Sequence, residues 1–409
     1  MAVGRLRLTR WVTICVIVAA LLVPGCDRAN RSEPMKIALM LDYSGAPDVS
    51  ADRQRGFDLA IRHINDGGGV LGQPVRGVTR DATRTPGPAV EAAQRLLEEG
   101  VHAIVGPNAS AAALAVVEQV TGPAAIPTIS PSATSPQLTE AVDSDFFFRT
   151  TLSDTAQGPV LARVTRDRGF DNVGLVYHDD PYGRGLAASF ADAWDGWLEA
   201  VAVVGGQASY LQELRRSASG GAQALVVVTF GDQALAIVSE ALDEGVYTQF
   251  LFGDAAKRPR LVEEIGGAAL GDMYGTAGAP SPDSVAGPAW EDSFLAEYGE
   301  LPVMTYVRET YDATVALALA AQAAGSLDGA ALRDRLRDIG GPGGQVVLGT
   351  AEGAAEALRL LADGRDVDYE GVGSSLDWDE HGDLRRGHIE VWRFTRDGRI
   401  ETVETVLFE

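Results

Sequence analysis

Short runs of apolar residues alternate along most of the chain with longer stretches in which apolar residues recur every three or four positions. The first pattern is typical of buried strands and the second of amphipathic helices. The short runs predict strands at Lys36–Leu41, Pro74–Asp81, His102–Gly106, Ala125–Ser130, Asn172–His178, Glu199–Val204, Ala224–Phe230 and Gln249–Gly253. The longer stretches predict helices, among them Asp52–Asn65, Ala89–Glu99, Ala111–Val120, Gly185–Trp197, Gln233–Glu244, Pro288–Tyr298, Arg308–Ala324 and Ala330–Ile339. Such alternation predicts an α/β protein with parallel sheets.

Two strand-like runs, Phe146–Thr150 and Met273–Ala277, interrupt this rhythm. Each lies where the chain would pass from one sheet to another, and a loop rich in Gly, Pro and Ser, Gly278–Gly287, follows the second run. A chain of 409 residues has room for two or three domains. The pattern therefore predicts two doubly wound lobes joined by a hinge of two or three strands.

The N-terminal residues have the pattern of an export signal. Three arginines precede a largely apolar run at 11–23, which is shorter than the roughly 20 residues needed to span a bilayer. The run ends just before Cys26, in a segment that resembles a bacterial lipobox. We therefore predict a lipoprotein signal peptide at 1–25, lipidation of Cys26 and a polar tether at 26–35, which would hold the protein at a membrane surface. An ordinary secretory signal that contains a cysteine is the alternative.

The amino-acid composition argues against several classes of function. The chain carries 34 Lys and Arg against 57 Asp and Glu, a net charge of -23, which argues against a nucleic-acid partner. It contains two cysteines, Cys15 and Cys26, so a disulfide framework or a Cys-ligated metal site is excluded. The five histidines lack metal-ligand spacing, and no G-x-S-x-G sequence is present. We therefore predict no metal, no cofactor and no enzymatic activity.

A glycine-rich segment, Gly67–Gly72, formally matches the G-x-G-x-x-G sequence of dinucleotide sites. In such a site the glycines follow a strand and open a helix. Here they follow a predicted helix and precede a predicted strand. The segment is therefore interpreted as a helix C-cap and turn.

Hydroxyl-rich segments follow two neighbouring predicted strands. Ser110 follows one of them at the start of a helix, and the segment 131–136 follows the next. In open α/β sheets, ligands bind beyond the carboxyl ends of the strands. These hydroxyls either cap helices or bind an anion such as a carboxylate, and the sequence pattern leaves both readings open.

Carboxylates and aromatic residues occupy comparable positions in the second half of the chain. Asp254 ends a predicted strand, and Asp154 follows the first crossover run. Tyr182 and Phe230 lie at or beyond the ends of two further strands. Anion-binding hydroxyls in one lobe, facing carboxylates and aromatic rings in the other, would suit a zwitterion with a side chain.

The chain resembles the type I periplasmic solute-binding proteins, in particular the leucine/isoleucine/valine-binding family of ABC importers. The resemblance extends in order over about 36–409. It rests on segments of sequence spread along the chain: 36–39, 42–45, 64–72, 129–136, 149–151, 157–159, 178–183 and 376–383.

This resemblance implies two Rossmann-like lobes, joined by a three-strand hinge, that close on a small solute. Lobe 1 would comprise 36–152 plus 279–390, and lobe 2 would comprise 153–278 plus 391–409. The implied function is to capture an amino acid or a related small solute and to deliver it to the permease subunits of an ABC importer. A ligand-sensing receptor of the same fold, acting through a separate signalling partner, is the alternative.

The resemblance also implies roles for individual residues. Ser110 and Thr134, with backbone near Ser132, would bind an α-carboxylate. Asp154 and Asp254 would bind the α-ammonium group. The remaining implied residues would surround the solute side chain: Tyr182, Phe230 and Tyr306.

Two features depart from the family pattern. The family often has an aromatic pocket residue near the position of Val49–Ser50, and this chain has none there. That absence argues against a branched-chain amino acid as the solute. The segment 344–372 is longer than in the simplest members, and the sequence assigns it no role.

Overall fold

Parallel strands connected by helices make up most of the protein. The computed structural model describes Met1 and residues 33–409, so the predicted signal peptide and the Cys26 lipidation site lie outside the described residues. The strands are β1 (Lys36–Leu41), β2 (Arg76–Asp81), β3 (Ala103–Val105), β4 (Thr128–Ser130), β5 (Phe147–Arg149), β6 (Asn172–His178), β7 (Trp197–Val203), β8 (Ala224–Val228), β9 (Phe250–Phe252), β10 (Tyr274–Ala279), β11 (Gln345–Leu348), β12 (Val367–Glu370), β13 (Gly387–Phe394) and β14 (Ile400–Phe408). The helices are α1 (Pro47–Asp66), α2 (Pro86–Glu98), α3 (Ser110–Val116), α4 (Asp154–Asp167), α5 (Pro181–Ala193), α6 (Leu211–Ser217), α7 (Gly231–Asp243), α8 (Pro259–Ile265), α9 (Gly267–Leu270), α10 (Gly287–Tyr298), α11 (Val307–Ala324), α12 (Gly329–Ile339) and α13 (Ala351–Ala362).

The strands form two main sheets. The first sheet is fully parallel, with the order β2-β1-β3-β4-β5. The second has the order β14-β13-β10-β9-β8-β6-β7 and is parallel from β10 to β7, with β13 and β14 added antiparallel. A small parallel sheet pairs β11 with β12. The prediction of an α/β fold with parallel sheets is confirmed.

The predicted crossover runs are both strands. The first is β5, at the edge of the first sheet, and the second is β10, within the second sheet. After β5 the chain passes to the second sheet, after β10 it forms helices of which α11 packs against β3 and β4 of the first sheet, and it returns to the second sheet at β13. The predicted lobe boundary after residue 390 falls inside β13, because residues 387–390 already pair with β14 and β10.

Apolar burial explains why these segments adopt these elements. All five residues of β8 are buried, as expected for a strand with helices on both faces of its sheet. Helix α11 is buried along most of its length because it packs against α1, α12 and α13. Its sequence of alternating Ala and Leu allows this close helix packing.

Among the helix ends that differ from the prediction, two have a clear cause. Helix α1 begins at Pro47 rather than Asp52, with proline in the first turn, where its missing N–H costs nothing. The predicted helix Gly185–Trp197 runs too far, since α5 ends at Ala193 and Trp197 begins β7. The backbone of Trp194 is extended, and its ring stacks on Phe190, 5.5 Å away. Burial of this indole against α5 ends the helix early.

The glycine-rich segment Gly67–Gly72 is the turn between α1 and β2. Gly68, Gly69 and Gly72 have positive φ angles, and a bridge joins Val70 to Gln73. A Cβ on Gly69 would lie 2.1 Å from the carbonyl oxygen of Gln73, so this turn needs glycine there.

The long segment 344–372 forms β11, α13 and β12, which add a layer over α1 and α11. Asp312 on α11 anchors the end of this segment. Its carboxylate accepts hydrogen bonds from the Tyr369 hydroxyl and from the backbone N–H groups of Val372, Gly373 and Ser374. Burial raises the pKa of Asp312 to about 6. The segment therefore has a packing role in the fold.

Within residues 33–409, no single helix is both long and apolar enough to cross a membrane. Helices α11 and α12, bent at 110° to each other, satisfy the length and composition only when taken together.

Candidate functional site

A cleft with a volume of about 70 Å³ lies between the carboxyl ends of the two sheets. Six of the predicted site residues line it: Ser110, Ser132, Tyr182, Phe230, Asp254 and Tyr306. The rest of its lining consists of Asp42, Ala46, Val49, Arg53, Arg84, Asn108, Ala109, Gly231, Ala255, Lys257, Arg258, Met304 and Thr305. Two of the predicted residues, Thr134 and Asp154, do not line it.

Asp254 is the predicted carboxylate that faces the cleft. It directly follows β9 and is 5% exposed. The Tyr182 hydroxyl donates to its Oδ1 at 2.7 Å, and the Tyr306 hydroxyl donates to its Oδ2 at 2.9 Å. Burial, together with the Asp254 charge, raises the pKa of both phenols well above the usual range. The phenols therefore stay protonated and hold a carboxylate whose remaining lone pairs can accept from an ammonium group.

Tyr306 reaches this carboxylate through an unusual backbone conformation. It precedes α11 with a φ of 68°, in the left-handed region that side chains other than glycine rarely adopt. Such strain is found mostly where the surrounding structure fixes a functional position. Here the ring lies between Asp254 and the Arg53 guanidinium, whose Cζ is 5.2 Å from the ring centroid.

Ser132 and Arg53 form the opposite wall. The Ser132 hydroxyl donates to the carbonyl of Asn108 at 3.1 Å and accepts from Nη1 of Arg53 at 2.9 Å. Ser110 begins α3, and its Oγ accepts from the backbone N–H of Ser135 at 3.3 Å. The predicted hydroxyls of Ser110 and Ser132 therefore form a polar wall of the cleft, and the Arg53 guanidinium lies beside Ser132.

Thr134 and Asp154 lie deeper than predicted. Asp154 begins α4, its backbone N–H donates to the Thr134 carbonyl at 2.8 Å, and its side chain is fully buried. Neither carboxylate oxygen of Asp154 has a hydrogen-bond partner in the described part of the chain. Burial, and then the charge of Asp254, raises its pKa well above the usual range. The expectation that both carboxylates face the solute is therefore corrected: Asp254 faces the cleft and Asp154 lies in the protein interior.

Aromatic rings close one end of the cleft. Phe230 packs against the Tyr182 ring at 5.4 Å and against the His178 ring at 5.1 Å. The Arg84 guanidinium lies over the Phe230 ring, with its Cζ 4.6 Å from the ring centroid. Arg84 Nε also donates to Asp42 at 2.8 Å. This end of the cleft therefore combines aromatic rings with the charged guanidinium of Arg84.

The sequence interpretation missed the basic residues of the cleft: Arg53, Arg84, Lys257 and Arg258. A signal existed for Arg53, because it follows Val49 by four positions and precedes Phe57 and Ala60 at helical spacing, on the buried face of α1. The other three lie in loops or at a helix start, where no periodicity marks a side chain as buried. Within residues 33–409, no group of three or more His, Cys, Asp or Glu side chains is placed to hold a metal ion.

Two α/β lobes with a polar cleft at the carboxyl ends of their strands define a solute-binding protein of the bilobal type. Residues 34–357 match the periplasmic binding protein family, and the chain belongs to this family. Its relatives include leucine/isoleucine/valine-binding proteins, so the resemblance found in the sequence is confirmed. Members of the family are solute-binding proteins rather than enzymes.

Two relatives and one solved structure show how similar the chain is to named proteins. It is 27% identical over 357 residues to the chemotactic signal transduction system substrate-binding protein BasB of Halobacterium salinarum, covering 84% of this chain and 83% of the relative. It is 25% identical over 401 residues to the leucine-, isoleucine-, valine-, threonine-, and alanine-binding protein of Pseudomonas aeruginosa, covering 96% and 97%. The crystal structure of the leucine binding protein LivK from Thermotoga maritima superposes with a TM-score of 0.76 at 22% identity, covering 91% of this chain and 98% of that one. This likeness confirms the two-lobed fold.

Proposed function

We propose that the protein is the extracytoplasmic substrate-binding lipoprotein of an ABC importer. It captures an amino acid or a related small solute between its two lobes and delivers it to membrane permease subunits. One observation carries the proposal: a donor for a carboxylate, the Arg53 guanidinium, and an acceptor for an ammonium group, Asp254, face the same cleft. The names of relatives that bind amino acids support the same class of solute.

The proposed mechanism is ligand-stabilised closure. Arg53 and Ser132 belong to the side of the first sheet, whereas Asp254 and Phe230 follow strands of the second sheet. A solute that contacts both sides binds the closed arrangement better than the open one, and so shifts the equilibrium between them. The closed protein is then the form that the permease recognises.

Binding is tested first. The protein, stripped of ligand by unfolding and refolding, is screened by thermal shift against the twenty amino acids, small amides, urea and aromatic acids. A ligand at a thousand times its dissociation constant stabilises the protein by about 4 kcal/mol, which gives a clear shift. A shift with amino acids supports the proposal. A protein that responds to no member of the panel contradicts it.

Lipid attachment is a separate part of the proposal, supported by the lipobox-like sequence before Cys26. Cells that express the protein are labelled with a radioactive fatty acid, and the protein is isolated. Cys26→Ser should abolish the label, whereas Cys15→Ser, within the predicted signal peptide, should keep it. Equal labelling of both variants would overturn lipidation at Cys26.

A sensory role is the second candidate, and the relative named for chemotactic signal transduction favours it. The two roles are separated in cells that lack the gene. Loss of uptake of the bound solute, with movement toward that solute unchanged, supports the importer. Loss of the response with normal uptake supports the receptor.

A further inference from the structure

Four basic side chains line the cleft, and they differ in how their charge is balanced. Arg84 donates to Asp42 at 2.8 Å, and Lys257 pairs with Glu390. Arg53 has no carboxylate within 4.0 Å among residues 33–409, although it is only 6% exposed. Arg258 is 9% exposed and contacts the half-exposed Asp48 at 3.5 Å. Two guanidinium groups of the cleft therefore lack a close buried counter-ion.

Within residues 33–409, not every N–H group of Arg53 has a hydrogen-bond acceptor. Its Nε donates to the Thr305 carbonyl at 3.1 Å and its Nη1 to Ser132 Oγ at 2.9 Å. No acceptor for Nη2 lies in the part of the chain that the structure describes. Burial lowers the pKa of Arg53 to about 10, so the group is still charged at neutral pH. A buried, charged guanidinium group with N–H groups still available is suited to binding a carboxylate.

Arg258 forms a second positive centre on the other side of the cleft. It follows β9 and precedes α8, and its side chain crosses the start of α7. A Cβ on Gly231 would lie 2.4 Å from Arg258 Cδ and 2.7 Å from its Nη1, so glycine is what allows this approach. The first turn of α7 adds the positive end of a 13-residue helix beside the guanidinium.

The two guanidinium groups are near enough to influence each other. The charge of Arg258 contributes to the lowered pKa of Arg53, after burial itself, and the charges of Asp254 and Glu309 oppose this lowering. A neutral amino acid has one carboxylate, which leaves Arg258 with the half-exposed Asp48 as its one ion-pair partner among residues 33–409. A buried charge that is only partly compensated is costly, so the cleft favours a solute with a second anionic group.

We infer that the solute is a small dicarboxylate, with one carboxylate at Arg53 and the other at Arg258. This inference rests on the proposed function and adds the substrate class. Asp254 remains available to an amine, so an acidic α-amino acid satisfies all three charged groups. A branched-chain amino acid leaves Arg258 with no carboxylate other than that of Asp48.

The test compares ligands of equal size and different charge by isothermal titration calorimetry. The probes are L-glutamate, L-aspartate and succinate, and the comparators are L-glutamine and L-leucine. We expect at least one dicarboxylate to bind tenfold or more tightly than both comparators. A protein that binds L-leucine or L-glutamine as tightly as any dicarboxylate overturns the inference but keeps solute capture. If none of the five binds, the inference is overturned, and the wider solute screen decides the proposed function.

A matched pair of variants locates the effect. Arg258→Gln should weaken dicarboxylate binding tenfold or more, and should weaken L-glutamine binding by a smaller factor. Arg260→Gln removes a nearby exposed arginine, which pairs with Asp232 and Glu264, and should stay within twofold of the parent. Circular dichroism of the unliganded variants checks that both are folded. Unchanged dicarboxylate affinity in folded Arg258→Gln overturns the assignment, and the parent's preference among ligands tests the substrate class independently of any variant.

Discussion

The hydroxyl of Tyr306 donates a 2.9 Å hydrogen bond to Oδ2 of Asp254 and thereby joins the two walls of the cleft. Tyr306 precedes α11, which packs against α1 beside the first sheet, whereas Asp254 follows β9 of the second sheet. The Tyr182 hydroxyl holds the other oxygen of the same carboxylate at 2.7 Å. The acceptor is therefore oriented before any solute arrives, which lowers the entropic cost of binding.

Asp254→Asn should weaken binding of an amine-bearing solute by at least about tenfold, because one charge-assisted hydrogen bond contributes about 1.5–3 kcal/mol. The amide keeps the size of the side chain, so the midpoint of thermal unfolding of the unliganded protein should change little. Calorimetric titration measures the affinity. Asp243→Asn, at an exposed position on α7, is the control and should bind as the parent does. Parent-like affinity in Asp254→Asn would remove this carboxylate from the site.

Tyr306→Phe should weaken binding about three- to tenfold, because it removes one of the two hydroxyls that orient Asp254. If the hydroxyl acts through Asp254, the loss should largely disappear when Asp254→Asn is already present. A double-mutant cycle of dissociation constants measures this coupling. Fully additive losses would show that the hydroxyl acts independently of the carboxylate.

Arg149 and Asp383 form a buried ion pair that should be important for stability. Nε and Nη2 of Arg149, which is fully buried, donate to the two carboxylate oxygens of Asp383, each at 2.6 Å. The Arg149 carbonyl also accepts from Trp378 Nε1 at 2.7 Å, which ties the segment before β13 to β5. Removing one partner leaves an uncompensated buried charge, so Asp383→Ala should cost about 3–5 kcal/mol in the free energy of unfolding.

Urea denaturation measures that loss, and an exposed ion pair provides the comparison. Arg163 and Glu404 lie 2.9 Å apart with side chains 39% and 47% exposed. Glu404→Ala should cost less than about 1 kcal/mol, since solvent screens the pair. Equal costs at the two sites would show that burial of Arg149 does not determine the effect.

Glu309 should make stability fall as the pH rises. Burial, and then the charge of Asp312, raises its pKa from 4.5 to about 7. The folded protein therefore binds this proton more tightly than the unfolded chain, and the free energy of unfolding decreases between about pH 4.5 and pH 7. Glu309→Gln removes this contribution. Its stability relative to the parent should increase by about 2 to 3 kcal/mol from pH 5 to pH 8.

Urea denaturation at the two pH values compares the parent and Glu309→Gln with Glu300→Gln, whose side chain is 67% exposed. The exposed variant should keep the pH dependence of the parent. A Glu309→Gln variant with an unchanged pH dependence would show that Glu309 does not titrate in this range.

Periodicity predicted the strands and helices well because burial of apolar faces determines both. The runs at β1, β6 and β8 are strongly apolar or β-branched, and the structure forms strands there. The end of α5 was missed because it depends on packing of the Trp194 ring against Phe190, a contact that local sequence does not encode.

For the site, the sequence predicted which residues follow strand ends but not how deeply their side chains are buried. Strand ends identified Ser110, Ser132 and Asp254 because open sheets expose side chains at that edge. The depth of each side chain was not predictable, and Asp154 therefore looked equivalent to Asp254. Arg258 was missed because its position depends on the space that Gly231 leaves, a relationship between residues at the starts of two different helices.

The two guanidinium groups at Arg53 and Arg258 also have a mechanical consequence. They stand on opposite walls, and like charges at short range repel. Arg258 also pairs with Asp48 of α1 at 3.5 Å, so the repulsion between the guanidinium groups opposes an ion pair that joins the same walls. An anion between the guanidinium groups converts this repulsion into attraction on both sides. Such an anion therefore links occupancy of the cleft to attraction between its walls.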